Sequence, residues 1–455
     1  MKRRLTQKIR RKLKSSFSSF ARLFRIQNHF FPKLAHWFNQ MKDPRNPSYI
    51  TYCQSVLVME LIMKCNAGIK TMRGMTREFN TEDCIRNLGL ISEEYDLEEK
   101  PDWQTVNNYL ERLETCELEE VRYMMIRTLI RTKSFSSFTL NGAYPVIIDG
   151  TDIAYFREKH CEHDLVKKTV DKETGESCCQ YFHKALEAKI LLGPGLLLSI
   201  ATEFIENEEV TVSKQDCELN AGYRLLNKLK KAFPRMSFII VGDALFCTMP
   251  FMEAVRKMNW KYIFRIKEGR QAHLTEDFED LLSQIERKEI IKNAFDGECG
   301  ELAYVNHVEE VSDKPETCNM LRYVRKLDGK EIEFTWASNI EIDSENAVDT
   351  AGVGRKRWGI ENEGFNVQKN GIYDLEHHCS LNWNAMKNHY LVIQIAHILM
   401  QLYMAFDDVA YELNEGMKHN ASDLFVSFVS RVLTEKEQQY IHTRTALHMR
   451  CLLIS

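Results

Sequence analysis

The sequence predicts an α/β fold, and three features carry that expectation. Val146-Ile147-Ile148, Phe238-Ile239-Ile240-Val241 and Tyr262–Ile266 are short runs rich in β-branched and aromatic residues, the pattern of buried strands. Two stretches with helical character, Cys217–Phe233 and Pro250–Met258, alternate with the later two runs. The turn Gly193-Pro194-Gly195 separates the apolar segments Ala188–Leu192 and Leu196–Phe204, which reads as a β-hairpin.

Taken in order these elements run β, β, β, α, β, α, β. A sheet that opens with three antiparallel strands and continues with parallel ones joined through helices is an RNase H-like α/β core. Residues 296–341 return to alternating strands, such as Leu321–Val324 and Ile332–Ala337, and read as a β-rich insertion near 290–345. Residues 349–410 are helical again. Upstream, residues 45–140 read as a helical domain in which Val56–Met63 is apolar and Val106–Ile130 is periodic. The segment "PDWQTVNNYLERL" has the form of a helix that opens a DNA-reading unit, with an ordinary bundle helix as the alternative. The chain thus divides into 1–44, 45–140, 141–410 and a helical segment 411–455. Its 455 residues allow two or three domains of about 100–200 residues each, and 44% hydrophobic content allows full cores.

Charge is unevenly distributed. Residues 1–35 carry eleven Lys and Arg and no acid, the first acid being Asp43, so with a net charge of −4 the rest of the chain carries −4 − 11 = −15. Such an arm neutralises phosphates and releases counterions, or else stays a solvated tail. Phe17, Phe20 and Phe24 have helical spacing and suit packing on a neighbouring domain, with contact along DNA as the alternative. The N-terminus lacks the apolar segment of a signal peptide. Thirteen cysteines without disulfide-like spacing read as reduced thiols of a cytoplasmic protein. Tyr390–Phe406 is the longest apolar stretch, but Gln394, His397 and Gln401 share one helical face, which suits a buried helix and no membrane span.

The residues with chemical content are acids. Asp149 follows the strand Val146–Ile148 and Asp243 follows Phe238–Val241, each beside a glycine that permits close approach by a metal or phosphate. Ligands in α/β sheets gather outside the carboxyl ends of strands. Either aspartate alone also fits a turn or a helix N-cap. In "GRKRWGIENEGFN" Glu361 lies four residues after Arg357, so both project from one helical face, and Lys369 lies two turns on. A carboxylate flanked by cations suits a metal ligand beside a bound phosphate, although a solvated salt-bridged helix has the same look. Asp152 and Glu187 are further acids, read as structural. His160, Cys161, His163, Cys178, Cys179 and His183 have the side chains zinc prefers, but their spacing matches no familiar finger.

"VIIDGT", "IIVGDALF" and "RKRWGIENEGFN", in that order and with a β-rich insertion before the last, resemble the DDE transposases of bacterial insertion sequences, in particular the group with a Tyr-Arg-Glu-Lys signature. The resemblance covers roughly residues 140–410. It implies that Asp149, Asp243 and Glu361 are catalytic and hold two Mg²⁺ or Mn²⁺ ions, and that Arg357, with Lys369, binds DNA phosphate. It also implies cleavage and strand transfer on the element's terminal inverted repeats and target DNA, a homo-oligomer on that DNA, and a bacterial cytoplasm with the nucleoid as location. Two positions depart from the signature: Gly354 stands where the tyrosine belongs and Gln368 where the lysine belongs, with Lys369 next to it. Either the helix has slipped by one residue or the lysine's role has changed, and the slip makes Glu363 a rival to Glu361. A transposase-derived protein that binds DNA without cutting it, and a metallohydrolase using His160 or His163 on another substrate, are the competing readings.

Overall fold

The computed structural model describes residues 16–449 apart from 133–134, 136–137, 171–176, 208–214, 268–271, 285–289, 293–294, 296–299, 310–316, 328–329, 414 and 444. Its centre is a ten-stranded mixed sheet. The chain runs out along β1 (Tyr144–Phe156), and β2 (Leu165–Val170) forms a hairpin with the early part of β3 (Ser177–Gly193), whose remaining length returns antiparallel to β1. The chain then turns at Gly195, which has φ +70°, into β4 (Leu196–Ile205), antiparallel to β3. The helix Glu218–Ala232 leads to β5 (Phe238–Gly242), parallel to β1, and Met249–Lys257 leads to β6 (Lys261–Ile266), parallel to β5. The order β4-β3-β1-β5-β6 is the RNase H-like arrangement the sequence predicts. All five residues of β5 are buried, as a central parallel strand covered on both faces requires.

Two features of the sheet differ from expectation. β2 falls in a stretch that reads as loop, because Lys167-Lys168-Thr169 shows no apolar alternation; it forms because β3, at 17 residues, outruns β1 and needs a partner. The 290–345 region is β-rich as expected, but its strands β7 (Ile290–Lys292), β8 (Gly300–Glu309), β9 (Thr317–Leu327) and β10 (Lys330–Ser338) extend the same sheet. β10 pairs antiparallel with the free edge of β6, from Thr335 opposite Ile266 to Ser338 opposite Ile263, which covers an edge that would otherwise expose unpaired backbone.

The helices form one body around Trp383–Phe406, a helix in which all but three of 24 residues are buried. It is long and apolar enough to cross a membrane, and here protein encloses it. The 45–140 region packs on one side of it. Val106–Ile130 is two helices, Trp103–Arg112 and Thr115–Arg131, because the chain becomes extended at Leu113 and Glu114. The first starts at Asp102, whose carboxylate accepts from the Gln104 amide at 2.8 Å, and buries Val106, Tyr109 and Leu110. Its terminal carbonyls are met by the Asn384 and Asn388 side chains, at 2.9 and 2.7 Å from Leu113 O. This is the bundle alternative for "PDWQTVNNYLERL".

The arm is only partly an arm. Its residues 1–15, with eight of the eleven basic side chains, lie outside the described residues. From Ser18 onward it is folded: Ser19–Phe30 is a helix capped by Ser18, Phe20 packs edge-on against Phe428 at 5.0 Å, and Phe17 stacks on Tyr440 at 3.9 Å. Arg22 is buried and bonded to Asp407 at 2.6 Å, so its charge is spent inside the protein. The apolar face of this helix outweighs its basic residues, and the stretches 1–44, 45–140 and 411–455, separate in the sequence, share one core from residue 18 onward.

The helical body meets the sheet through a buried ion pair. Arg122 and Glu187 are both 0% exposed with 3.8 Å between nitrogen and oxygen. Arg122 also donates to Ser199 and Thr202 at 2.7 Å each, and Glu187 accepts from those two hydroxyls and from Tyr390. Removing one member of a buried pair leaves the other uncompensated. Arg122→Leu is therefore expected to cost about 3–5 kcal/mol, seen as a lower denaturation midpoint in guanidinium, while Arg127→Leu on the partly exposed face of the same helix moves it far less.

Candidate active site

β1 and β5 run parallel with Ile147 opposite Val241, so the same register carried two residues further sets Asp149 level with Asp243. Neighbouring strands lie about 4.8 Å apart, which is how two distant aspartates come to face one space. Asp243 lies in the turn after β5, where its Oδ1 accepts from the Leu245 amide at 2.8 Å. Asp149 is 17% exposed and its Oδ1 takes the Gly150 amide at 3.0 Å, which leaves Oδ2 for other partners.

The third acid arrives on the segment after the sheet. Chain 347–370 runs as the helix Ala347–Arg355, a π-helical segment Ile360–Asn366 and a last turn Val367–Asn370. Arg357, at its bend, sends one guanidinium nitrogen to Asp149 Oδ2 at 3.3 Å and the other to Glu361 Oε1 at 2.7 Å. One planar side chain thus spans two carboxylates that are 212 residues apart in sequence, and Glu361 is the acid it selects. Glu363, the rival, instead feels Lys356, and burial pushes its carboxyl up.

These acids sense one another. Burial is the main reason that the Asp149 carboxyl is pushed up to about 7; Arg357 opposes it, and the charges of Glu361, Asp243 and Glu218 add to it. The geometry is that of a site with more negative charge than one arginine can balance, and its hard oxygen donors suit Mg²⁺ or Mn²⁺.

Sequence reasoning did not find Glu218 or Arg265. Glu218 begins the helix after β4 and ion-pairs with Lys184. A Cβ on Gly150 would lie 2.6 Å from its carboxyl carbon, so this glycine makes room for Glu218. Gly242 makes room for Phe246, whose ring would be 3.0 Å from a Cβ. Both glycines thus also accommodate neighbouring side chains. Arg265 lies on β6 next to the Asp243 strand, stacks on Phe334 at 4.8 Å and has its basicity lowered by burial and by the charge of Arg357. Its only sequence signal is its position one residue before the end of β6.

Lys369 is not joined to the three acids by any bond among the described residues. It pairs with Glu376 at 2.9 Å and lines a cleft with Lys70, Asp374 and Lys418. Gln368, at the signature lysine's position, is fully buried and bonds Gln394 and His397 at 2.8 and 2.9 Å. The signature tyrosine is missing for a steric reason: a Cβ on Gly354 would already lie 2.7 Å from the Trp336 indole nitrogen. Asp152 accepts from Tyr155 and stands 3.9 Å from Lys184, while Glu187 is consumed by the buried network. Of the histidines and cysteines, His160, Cys161 and His183 come together with Asp164, whereas His163 turns to the Asn207 carbonyl at 2.8 Å and Cys178 and Cys179 lie along the β2–β3 hairpin.

A carboxyl raised from near 3.8 to about 7 binds its proton more tightly in the folded than in the unfolded chain. Stability from this group is therefore lost as pH rises through that window, by up to about 1.4 kcal/mol per pH unit. In chelator, the melting midpoint of Asp149→Asn relative to the parent is expected to climb between about pH 4 and 7 and to level off above it, a window bounded by those two values. At pH 8, Mn²⁺ should raise the parent's midpoint and leave that of Asp149→Asn where it was. Gly354→Tyr should lower the yield of folded protein, and Trp336→Ala should restore part of it in the double variant, read by circular dichroism melts.

The family model described as the transposase DDE domain matches residues 141–399, more than half of the chain. No curated protein matches significantly. Among solved structures, the piggyBac transposase in a synaptic complex with hairpin DNA is 11% identical, with 96% of this chain and 84% of that chain covered and a TM-score of 0.43. The NurA nuclease from Sulfolobus solfataricus is 12% identical over 49% of this chain and 75% of that one, with a TM-score of 0.23. At these scores the two structural likenesses carry no weight, and the assignment rests on the family match over the segment that holds all three acids: the chain belongs to the transposase DDE domain family.

Proposed function

We propose that this protein is an active transposase that cuts and joins DNA phosphodiesters with divalent metal ions, moving an insertion sequence. The observation that carries this reading is the Arg357 bridge between Asp149 and Glu361, with Asp243 level on the neighbouring strand. Asp149, Asp243 and Glu361 would hold two ions, Mg²⁺ or Mn²⁺. When bound, such a pair stabilises charge on the attacking and the leaving oxygen of an in-line displacement.

The chain's own residues supply the rest. Arg357 neutralises the acids while they have no cation, and is released to a DNA phosphate once the acids are otherwise engaged. Its planar fork suits a bidentate phosphate contact. Arg265 adds a second cation beside it, and Lys369 would offer a further phosphate contact from the cleft it lines with Lys70 and Lys418. Substrates are the element's terminal inverted repeats and target DNA, bound by a homo-oligomer in a bacterial cytoplasm at the nucleoid. The basic residues 2–14 supply phosphate contacts that are independent of sequence.

Asp149→Asn, Asp243→Asn and Glu361→Gln are each expected to lower cleavage of end-sequence DNA roughly 10³-fold or more while leaving the gel shift of the same DNA intact. Cutting by all three variants in Mg²⁺ would sink the assignment. A parent protein that shifts the DNA but releases no 3′-hydroxyl ends would instead identify a binder derived from a transposase.

A further inference from the structure

We propose that His160, Cys161, Asp164 and His183 form a structural zinc site separate from the three acids. The first three residues lie in the loop between β1 and β2, and His183 lies on β3 opposite Ala154. The loop curls so that the backbone amides of His160 and Cys161 both donate to Asp164 Oδ2, at 2.6 and 3.0 Å. That leaves Oδ1 turned inward, 3.3 Å from Cys161 Sγ and 3.2 Å from His183 Nε2, while the sulfur and that nitrogen are 3.6 Å apart. In a tetrahedral zinc site with bonds of about 2.0 Å to N and O and about 2.3 Å to S, ligand atoms stand about 3.3 to 3.5 Å apart. Three ligand atoms therefore already occupy three corners of such a tetrahedron.

His160 is the fourth corner. One ligand atom from each of the four residues lies within 4.8 Å of the others, and the buried Nδ1 of His160 has no hydrogen-bond partner. The surroundings hold the ligands in place. His183 is stacked on Trp383 at 3.8 Å between ring centres, His160 is stacked on Phe156 at 4.2 Å, and Asn207 donates to the Asp164 carbonyl at 2.8 Å. His183 and Asp164 are both fully buried as side chains, whereas Cys161 and His160 keep partial access to solvent, which gives an ion a way in.

The donor set selects the metal. A thiolate with two imidazoles and one carboxylate suits zinc and not the hard Mg²⁺ ion. A full set of four protein ligands without an open position is the arrangement of a structural site. Its effect is to clip the loop 157–164 to β3 at the place where the β2–β3 hairpin leaves the main sheet.

Full-length protein purified without added metal and dialysed against metal-free buffer is expected to retain one zinc per chain by mass spectrometry of the metal. Cys161→Ser and His160→Gln should each weaken zinc binding at least about tenfold in a chelator competition. The double variant Asp149→Asn, Glu361→Gln should keep its zinc, since those acids belong to a different site. Cobalt added to the zinc-stripped parent should give intense visible absorption of a tetrahedral ion and a thiolate charge-transfer band, and Cys161→Ser should lack the band. If a substitution prevents folding, the parent's cobalt spectrum alone decides. Substoichiometric zinc together with no thiolate band in the parent would overturn the proposal and leave the four side chains as a hydrogen-bonded cluster.

Discussion

A helix buried around its whole circumference sets the plan of this molecule. Trp383–Phe406 has apolar residues on every side, and such a helix is stable in water only when other elements enclose it. The helices Ser19–Phe30, Gln54–Asn66, Trp103–Arg112, Thr115–Arg131 and Asp408–Leu413 and the strand β4 do so. Its polar residues are therefore joints and not a solvent face. Asn384 and Asn388 close the end of another helix, Tyr390 reaches Glu187, and Gln394 bonds both Lys189 and Gln368. Gln368 lies two residues beyond the segment that carries Glu361. A glutamine on the central helix thus ties down the chain shortly after Glu361 through a bond inside the core.

The π-helical segment is where this joint meets the acid. Gly364 lets it approach so closely that a Cβ there would lie 3.0 Å from Lys189 Cε. The wider turn of a π-helix takes up one residue more than an α-turn, and such segments gather at functional sites. In the turn that follows, the buried position goes to Gln368, which bonds Gln394, and Lys369 is turned outward to Glu376.

What was legible in the sequence follows the same logic. The strands Val146–Ile148 and Phe238–Val241 and the turn at Gly193–Gly195 were readable because burial on both faces and a tight turn each demand particular residues locally. Asp243, Arg357 and Glu361 were readable because a strand end and a four-residue spacing set their positions, whereas Asp149, read as following its strand, lies inside β1, which runs on to Phe156. Glu218 and Arg265 were not, since only the register of separate strands and a crossing helix brings them near. The packing role of Gly150 was hidden for the same reason: the neighbour it accommodates is 68 residues away in the chain. A count of lysines and arginines does not record that Arg22 lies on the buried face of an aromatic helix, the packing that the spacing of Phe17, Phe20 and Phe24 suits.

One pair of strands carries Asp149 of the acid site and His183 of the proposed zinc site. On β1, Asp149 and Ala154 are five residues apart, about 17 Å along an extended strand, and their partners on β3 are Glu187 and His183. Asp149 sits toward one end of this ladder and the proposed sulfur and nitrogen ligands toward the other. A β-bulge between Asp152 and Ala154 separates them. A bulge pins register, because the extra residue fits in one place only. Anchoring His183 to the β1–β2 loop fixes the ladder beyond the bulge, so the strand cannot slip without breaking that anchor. A slip of one residue would turn Asp149 to the opposite face of the sheet, away from Asp243 and Arg357. The distant clip thus works on the acid site through register alone, without touching it.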